Sequence, residues 1–459
     1  MNNYDAVIIG AGQAALPLAK KLADKGWSVA IAERKHLGGS CVNFGCTPTK
    51  AVLASARVAF LARRANDFGI SAPTVAVNFS KVLERARVIV RASQEGIASG
   101  LKEHGVDVLK GQARFAGRDG NRVVLHLDGQ SIGAKHVVIN TGSRTALPPI
   151  EGLSTVEYLH AGNWLKHDQL PAHVIFAGAG VIALEMAQFY RRMGAQVTVI
   201  GSGSQAAVSE DSEVSGALQE ILEAEGIEFH LNSRVKSVSG DSMGVRVVAE
   251  SAGQEQSITG SHLFLATGRR PNTDDLGLEA VGVRIGEKGA IQVDERLATG
   301  APGVWVAGDA RGGPMFTHTS WDDHLILESQ LLGDGSRTTT GRIVPYAIFT
   351  DPELGRVGMT EGEARRVHGG QIKVAHFDMK HSGKATENGE TRGFIKLIAD
   401  ARDSRLLGAA FLATEGAELV APCITLMNAG APLTRIRDGI YIHPTLSEAM
   451  QSAVVALNL

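Results

Sequence analysis

Three cysteines in 459 residues are too few for the disulfide framework of a secreted scaffold. No apolar stretch reaches the roughly 18 residues that a membrane-spanning helix needs. The segment Met1-Asn2-Asn3-Tyr4-Asp5 runs straight into an apolar strand pattern without the charged start of a signal peptide, so a cytoplasmic location is expected. There is no basic run, and the net charge is −2, which argues against nucleic acid or an anionic membrane as partner. What is present is a globular composition, 44% hydrophobic and 20% charged. The chain is too long for one core and suits two or three domains.

The order of elements repeats once. Residues 5–9 form a short apolar run ending in Gly10, followed by a helical pattern over 13–25 and a second strand over 28–32. The same order returns from Val174: strand, Gly178, a helix to about Met193, and a strand over 196–200. One long, imperfect repeat predicts two similar domains rather than a solenoid. A helix is predicted over 49–66. Pro148-Pro149 and the polar, Gly-rich stretch 331–341 mark junctions. Beyond the second junction, short strands over 394–398 and 407–412 mix with helices, and no nucleotide fingerprint occurs there.

Gly10-Ala11-Gly12-Gln13-Ala14-Ala15 follows a strand and opens a helix. Gly10 permits the tight turn, Gly12 lets a pyrophosphate approach the helix N-terminus, and Ala15 is small enough for helix–strand packing. Glu33 ends the next strand, where an acid accepts the hydroxyls of an adenosine ribose. Gly178-Ala179-Gly180-Val181-Ile182-Ala183 repeats the fingerprint. Two copies predict two dinucleotides, or one dinucleotide and a duplicated, empty fold. At the offset of Glu33 the second copy has Gly201, near Ser202, Ser204 and Gln205. An acid there would repel a ribose 2′-phosphate; its absence tolerates NADPH, with NADH an alternative.

Cys41-Val42-Asn43-Phe44-Gly45-Cys46-Thr47-Pro48-Thr49-Lys50 follows Gly38-Gly39-Ser40, and a helix starts within it. A cysteine at a helix N-terminus has its thiolate stabilised by the aligned amides, and two such thiols accept electrons as a disulfide. The competing readings are half of a zinc site, which lacks a second close pair of ligands, and two structural cysteines.

With these motifs in this order, the chain resembles the class I pyridine nucleotide-disulfide oxidoreductases, relatives of glutathione reductase, dihydrolipoyl dehydrogenase and mercuric reductase. The resemblance covers essentially the whole length. It includes Thr141-Gly142-Ser143, Ala266-Thr267-Gly268-Arg269-Arg270-Pro271-Asn272, Gly308-Asp309 and His443-Pro444-Thr445-Leu446-Ser447-Glu448. It implies an α/β fold with two Rossmann-like dinucleotide-binding domains and a C-terminal α+β dimerisation domain. The implied divisions are an FAD domain over 1–150, completed by 271–340, an NAD(P)H domain over 151–270, and an interface domain over 341–459. FAD would be held by Gly10, Gly12, Ala15, Glu33, Ser40, Lys50, Ala113, Thr141, Gly142 and Asp309, and the coenzyme by Gly178, Gly180, Ala183 and Gly268. Lys50 would pair with Glu185 beside the flavin. Cys46 would be the charge-transfer thiolate and Cys41 the exchanging thiol. His443, oriented by Glu448 and starting a helix with its proline, would be the acid–base for the disulfide of the other subunit in a homodimer.

The expected reaction carries a hydride from NAD(P)H to FAD and on to the Cys41–Cys46 disulfide, which reduces a small disulfide. Rival readings are oxidation of a dithiol such as dihydrolipoamide, reduction of Hg(II) or Cu(II), or a redox sensor that hardly turns over. No cysteine pair occurs in Ser452 to Leu459, and Cys423 sits in an apolar run as a buried residue, so no thiol relay for a metal is visible. His318, Asp323 and His324 are read as solvated surface groups rather than a metal site.

Overall fold

The computed structural model describes residues 1–241 and 244–459. The first unit begins with β1 (Asn2–Ile9), α1 (Ala15–Asp24) and β2 (Val29–Glu33), then α2 (Gly39–Asn43), α3 (Cys46–Arg63) and α4 (Phe79–Glu103). It continues through β3 (Asp107–Lys110), β4 (Ala113–Asp119), β5 (Arg122–Leu127), β6 (Gln130–Ile139) and β7 (Ser143–Thr145). β3, β2, β1 and β6 lie side by side and parallel, and β5 and β4 extend the sheet as an antiparallel meander. Parallel strands covered on both faces need continuous apolar runs, and residues 6–9 of β1 are all buried. α1 covers one face through Ala15, Leu16, Leu18, Ala19 and Leu22, at the helical spacing that makes a single apolar stripe.

The second unit repeats this plan. β8 (Tyr158–His160), β9 (His173–Ala177), α5 (Val181–Met193), β10 (Gln196–Ile200), α6 (Ser212–Ala224) and β11 (Ile227–His230) precede a three-stranded antiparallel layer. That layer is β12 (Arg234–Asp241), β13 (Gly244–Ser251) and β14 (Gln254–Gly260), and β15 (His262–Leu265) and β16 (Arg269–Pro271) follow it. The parallel sheet runs β11-β10-β9-β15-β8. β16 pairs with β7, so two chain crossings link the units. The chain then re-enters the first sheet through β17 (Val304–Val306), beside β6, and forms α7 (Thr317–Leu332).

The last unit is an antiparallel sheet in the order β18 (Tyr346–Ile348), β19 (Glu353–Gly358), β22 (Leu406–Ala413), β21 (Phe394–Asp400) and β20 (Ile372–Asp378), with α8 (Glu361–His368) between β19 and β20. Charged groups fasten it to the rest. Arg192 of α5 is buried against Glu225 and Asp351, both at 2.7 Å, and lies over the Phe60 ring of α3. Lys396 of β21 reaches Asp211, Glu213 and Glu361. Removing one partner from such buried clusters leaves an uncompensated charge, so they fix how the units meet.

Three expectations need correcting. The helix expected over 49–66 begins three residues earlier, at Cys46, because Pro48 is tolerated within a first helical turn. Pro444 does not start a helix: it follows a cis bond, and the last helix, Glu448–Ala456, begins at Glu448. Asp323 and His324 are buried rather than solvated, and Asp323 binds Arg311, Arg342 and the Gly308 amide. His318 is exposed, with its Nε2 against the Pro345 carbonyl at 2.6 Å. Among the described residues no cluster of three His, Cys, Asp or Glu is placed to hold a metal ion. Cys423 is buried, as expected.

Candidate active site: a thiol pair beside two nucleotide cradles

The sequence places Cys41 and Cys46 on different helices. Cys41 lies in the short α2, the chain breaks at Phe44 and Gly45, and Cys46 is the first residue of the 18-residue α3. Both are thiols here, partly buried and in contact. Their environments push them apart. Cys46 is lowered to about 6, chiefly by the hydrogen bond from Cys41 and further by Thr317 and the Lys50 charge, against the opposing effect of burial. Cys41 is raised, first by the same hydrogen bond and then by burial. Both shifts point the same way, favouring Cys46 as the first of the pair to lose its proton.

The groups around Cys46 come from three elements. Thr317, the first residue of α7, has its hydroxyl 3.1 Å from the Cys46 sulfur. Lys50, one turn further along α3, donates to Glu185 of α5 at 2.9 and 3.1 Å. Glu185 is buried and also accepts from the Phe349 amide at 3.0 Å, and the Lys50 ammonium stands 4.3 Å from the centre of the Phe349 ring. Thr317 and Phe349 were not among the residues singled out from the sequence. Nothing local signals that a helix N-terminus 271 residues away meets Cys46.

The first fingerprint lies against this pair. Gly38 donates to the Ala11 carbonyl at 2.9 Å, and a Cβ on Gly39 would stand 3.0 Å from the Gly12 Cα. Glu33 accepts from the Ala11 amide at 2.9 Å and from the Lys35 amide at 2.7 Å, so its carboxylate sits at the fingerprint turn. Ala113 is buried at the start of β4, next to Gln112, which accepts from Arg34. Ser40 is exposed. Asn140, also missed from the sequence, ties the end of β6 to the start of α1 and to Ala307.

The remaining motifs are laced together. Thr141 donates to the Asn272 carbonyl at 2.7 Å, and the Asn272 side chain donates to the Thr141 carbonyl at 2.9 Å. Ser143 donates to Asp309 and receives from Arg269 at 2.8 Å. Gly142 and Gly268 both have positive φ, with open space where a Cβ would project. In the second fingerprint, a Cβ on Gly178 would collide with the Ala266 carbonyl at 2.4 Å, whereas one on Gly180 would meet nothing within 4 Å. That open cradle above the α5 N-terminus is the space a pyrophosphate needs, and Ala183 packs fully buried behind it. A Cβ on Gly201 would stand 2.8 Å from the Ala179 Cβ, so its glycine has a packing cause independent of coenzyme charge.

At the far end of the chain, His443 Nδ1 lies 3.1 and 2.9 Å from the two Glu448 oxygens, as expected. The His443 side chain is 78% exposed, and no hydrogen bond of the described residues joins it to the cysteines of its own chain.

Two parallel nucleotide-binding sheets, a reactive thiol pair at their junction and a separate antiparallel unit define a two-dinucleotide disulfide oxidoreductase. The family profile described as pyridine nucleotide-disulphide oxidoreductase matches residues 4–323, and that of the dimerisation domain matches 344–454. This chain belongs to the class I pyridine nucleotide-disulfide oxidoreductases, a family dependent on FAD and pyridine nucleotides. It is 34% identical over 455 residues to the probable pyridine nucleotide-disulfide oxidoreductase RclA of Escherichia coli K12, covering 98% of each chain. It is 33% identical to the mercuric reductase of Streptomyces lividans, covering 98% of this chain and 95% of that one. It is 32% identical to the dihydrolipoyl dehydrogenase of Thermus scotoductus, covering 100% and 98%. A solved Cu(II) complex of the HOCl-induced flavoprotein disulfide reductase RclA from E. coli superimposes with a TM-score of 0.90 at 33% identity, covering 99% of each chain. No helix among the described residues is long and apolar enough to cross a membrane.

Proposed function

We propose that this chain is an FAD-dependent NAD(P)H:disulfide oxidoreductase acting on a small disulfide or similarly oxidised thiol. The observation that carries the reading is the split thiol pair, with Cys46 favoured as thiolate among Cys41, Thr317 and Lys50. FAD, which Gly10, Gly12, Glu33 and Asp309 would hold, would supply the chemistry that carries the electron pair of a hydride from NAD(P)H to the Cys41–Cys46 disulfide. Cys46 retains the negative charge of the reduced pair. Cys41 passes its proton to His443 and attacks one substrate sulfur, forming a mixed disulfide while the other sulfur leaves as a thiolate. His443 supplies the proton to that leaving sulfur, with Glu448 holding its Nδ1. Cys46 then attacks Cys41, releasing the second substrate sulfur as a thiolate that takes its proton from solvent, and restoring the internal disulfide.

The unit is a cytoplasmic homodimer in which His443 serves the partner's cysteines, and its domains divide at about 150, 270 and 340. NADPH is preferred over NADH because no acid stands at Gly201 to repel a 2′-phosphate. No arginine occurs in residues 201–210 to grip that phosphate, so the preference is small. Reduction of Cu(II) is the second reading, favoured by the Cu(II) complex of the E. coli relative. The test is anaerobic titration with each coenzyme, then turnover on a panel of small disulfides against Cu(II) and Hg(II). The disulfide reading fails if kcat/KM for either metal exceeds every disulfide by a hundredfold and His443→Ala leaves metal turnover intact. A tenfold preference for NADH would overturn the coenzyme assignment.

A further inference from the structure

One chain of contacts, buried at Glu210 and half-buried beyond it, runs from the coenzyme unit to the thiol pair. The loop after β10 ends at Glu210, whose carbonyl accepts from Gln205 at 2.9 Å. The Glu210 side chain is fully buried and accepts the phenol proton of Tyr346. The Tyr346 ring stacks on Phe316, with centroids 5.6 Å apart and planes within 5°. Phe316 opens α7, and the next residue is Thr317, whose hydroxyl meets Cys46. β18, which carries Tyr346, is followed directly by Phe349, whose amide donates to Glu185, the carboxylate that grips Lys50. The strand therefore touches both the coenzyme loop and the groups that favour the thiolate.

The contact has slack built into it. Glu210 Oε2 lies 3.5 Å from Arg356 Nε without a hydrogen bond, and neither terminal nitrogen of the buried Arg356 has a partner. A buried guanidinium without hydrogen bonds attracts a carboxylate strongly. Glu210 offers one oxygen to a phenol and turns the other toward a guanidinium, so a small movement of its loop alters both contacts. A discrete element that two sites both bias is the physical requirement for coupling between them.

We infer that Tyr346 and Glu210 are positioning residues that transmit nucleotide binding at the 201–210 loop to the Thr317–Cys46 contact, through the Tyr346–Phe316 stack. The inference rests on the second cradle being the coenzyme site and Cys46 the thiolate. The groups facing Cys46 are Cys41, Thr317 and Lys50 with its partner Glu185; Tyr346 acts on them through Phe316 and β18.

The test uses the FAD-loaded Cys41→Ser enzyme, in which the long-wavelength flavin band reports the Cys46 thiolate. Its pH midpoint is measured with and without saturating ADP-ribose or ADP-ribose 2′-phosphate, ligands that lack the nicotinamide, with binding followed by calorimetry. The nucleotide should change the Cys46 ionisation constant about fivefold, the low end of coupling between linked sites. Adding Tyr346→Phe, which keeps the ring and loses the phenol bond, should cut that change to below about twofold, with the nucleotide-free midpoint and FAD content unchanged. Tyr346→Leu, which removes the ring as well, should raise the midpoint even without nucleotide. An undiminished change in Tyr346→Phe, or no change in the parent despite measured binding, overturns the inference. Absence of the band sinks the thiolate assignment, and absence of binding sinks the coenzyme assignment; either takes this inference with it, and each is recognised separately.

Discussion

At the scale of single residues, the site turns on which sulfur carries the charge. Cys46 starts a helix, faces the Lys50 ammonium and touches a hydroxyl, whereas Cys41 has none of the first two. Cys41→Ser should retain a long-wavelength flavin band without reductant, because a serine hydroxyl still donates to Cys46. The band should fade as pH falls, because Thr317 and the Lys50 charge still hold Cys46 below the ordinary thiol range. Cys46→Ser should lack it, and swapped spectra would reverse the assignment. Thr317→Val keeps shape and removes the hydroxyl. A hydrogen bond to a charged group contributes roughly 1.5 kcal/mol or more, so the midpoint should rise by about one pH unit. An unmoved midpoint would show that Thr317 does not hold the thiolate. Both cysteines stand out in the sequence because a short local motif carries them, whereas Lys50 and Glu185 gain a role there only through the family resemblance. Thr317, Phe349 and Tyr346 do not stand out, because their roles arise only when distant elements meet.

At the scale of elements, the two fingerprints were legible because strand, glycine turn and helix follow one another within about 25 residues, and local order sets their geometry. Helix ends were less legible: α3 begins at Cys46, and the last helix begins at Glu448 rather than at Pro444. Asp323 was misread because its three partners, Gly308, Arg311 and Arg342, assemble only when α7 packs on the first unit. The glycines of the second fingerprint separate folding from binding. Gly178 has positive φ and a carbonyl where its Cβ would stand, so Gly178→Ala should lower the unfolding midpoint and the yield of folded protein. Gly180 faces open space, so Gly180→Val should leave the unfolding midpoint nearly unchanged while raising KM for the coenzyme at least about tenfold, by occupying the pyrophosphate position. Thermal unfolding and steady-state kinetics on the two variants check this. An unchanged KM in Gly180→Val would remove the coenzyme from that cradle.

At the scale of the whole molecule, His443 raises the question of which cysteines it serves. It is held by Glu448 but exposed, and Ile440 and Ile442 beside it are among the most exposed apolar side chains of the chain. Two exposed isoleucines next to a poised imidazole fit an interface between copies. In the homodimer proposed above, each site takes its cysteines from one chain and its histidine from the other. His443→Ala alone should slow disulfide turnover by roughly 10²–10⁴-fold, the usual worth of general acid catalysis, while flavin reduction by coenzyme is nearly unchanged. Cys41→Ser alone should be inactive on disulfides. Mixing the two under conditions that exchange subunits yields hybrid dimers with one site in which both the cysteines and the histidine are intact. If chains pair at random, half of the dimers are hybrids with one working site each, so activity should recover to about a quarter of the unmodified enzyme. A histidine serving its own chain gives no recovery, since every site then lacks either Cys41 or His443. Activity measured before and after subunit exchange separates these outcomes, and a fully active monomer in sedimentation would remove the cross-subunit arrangement altogether.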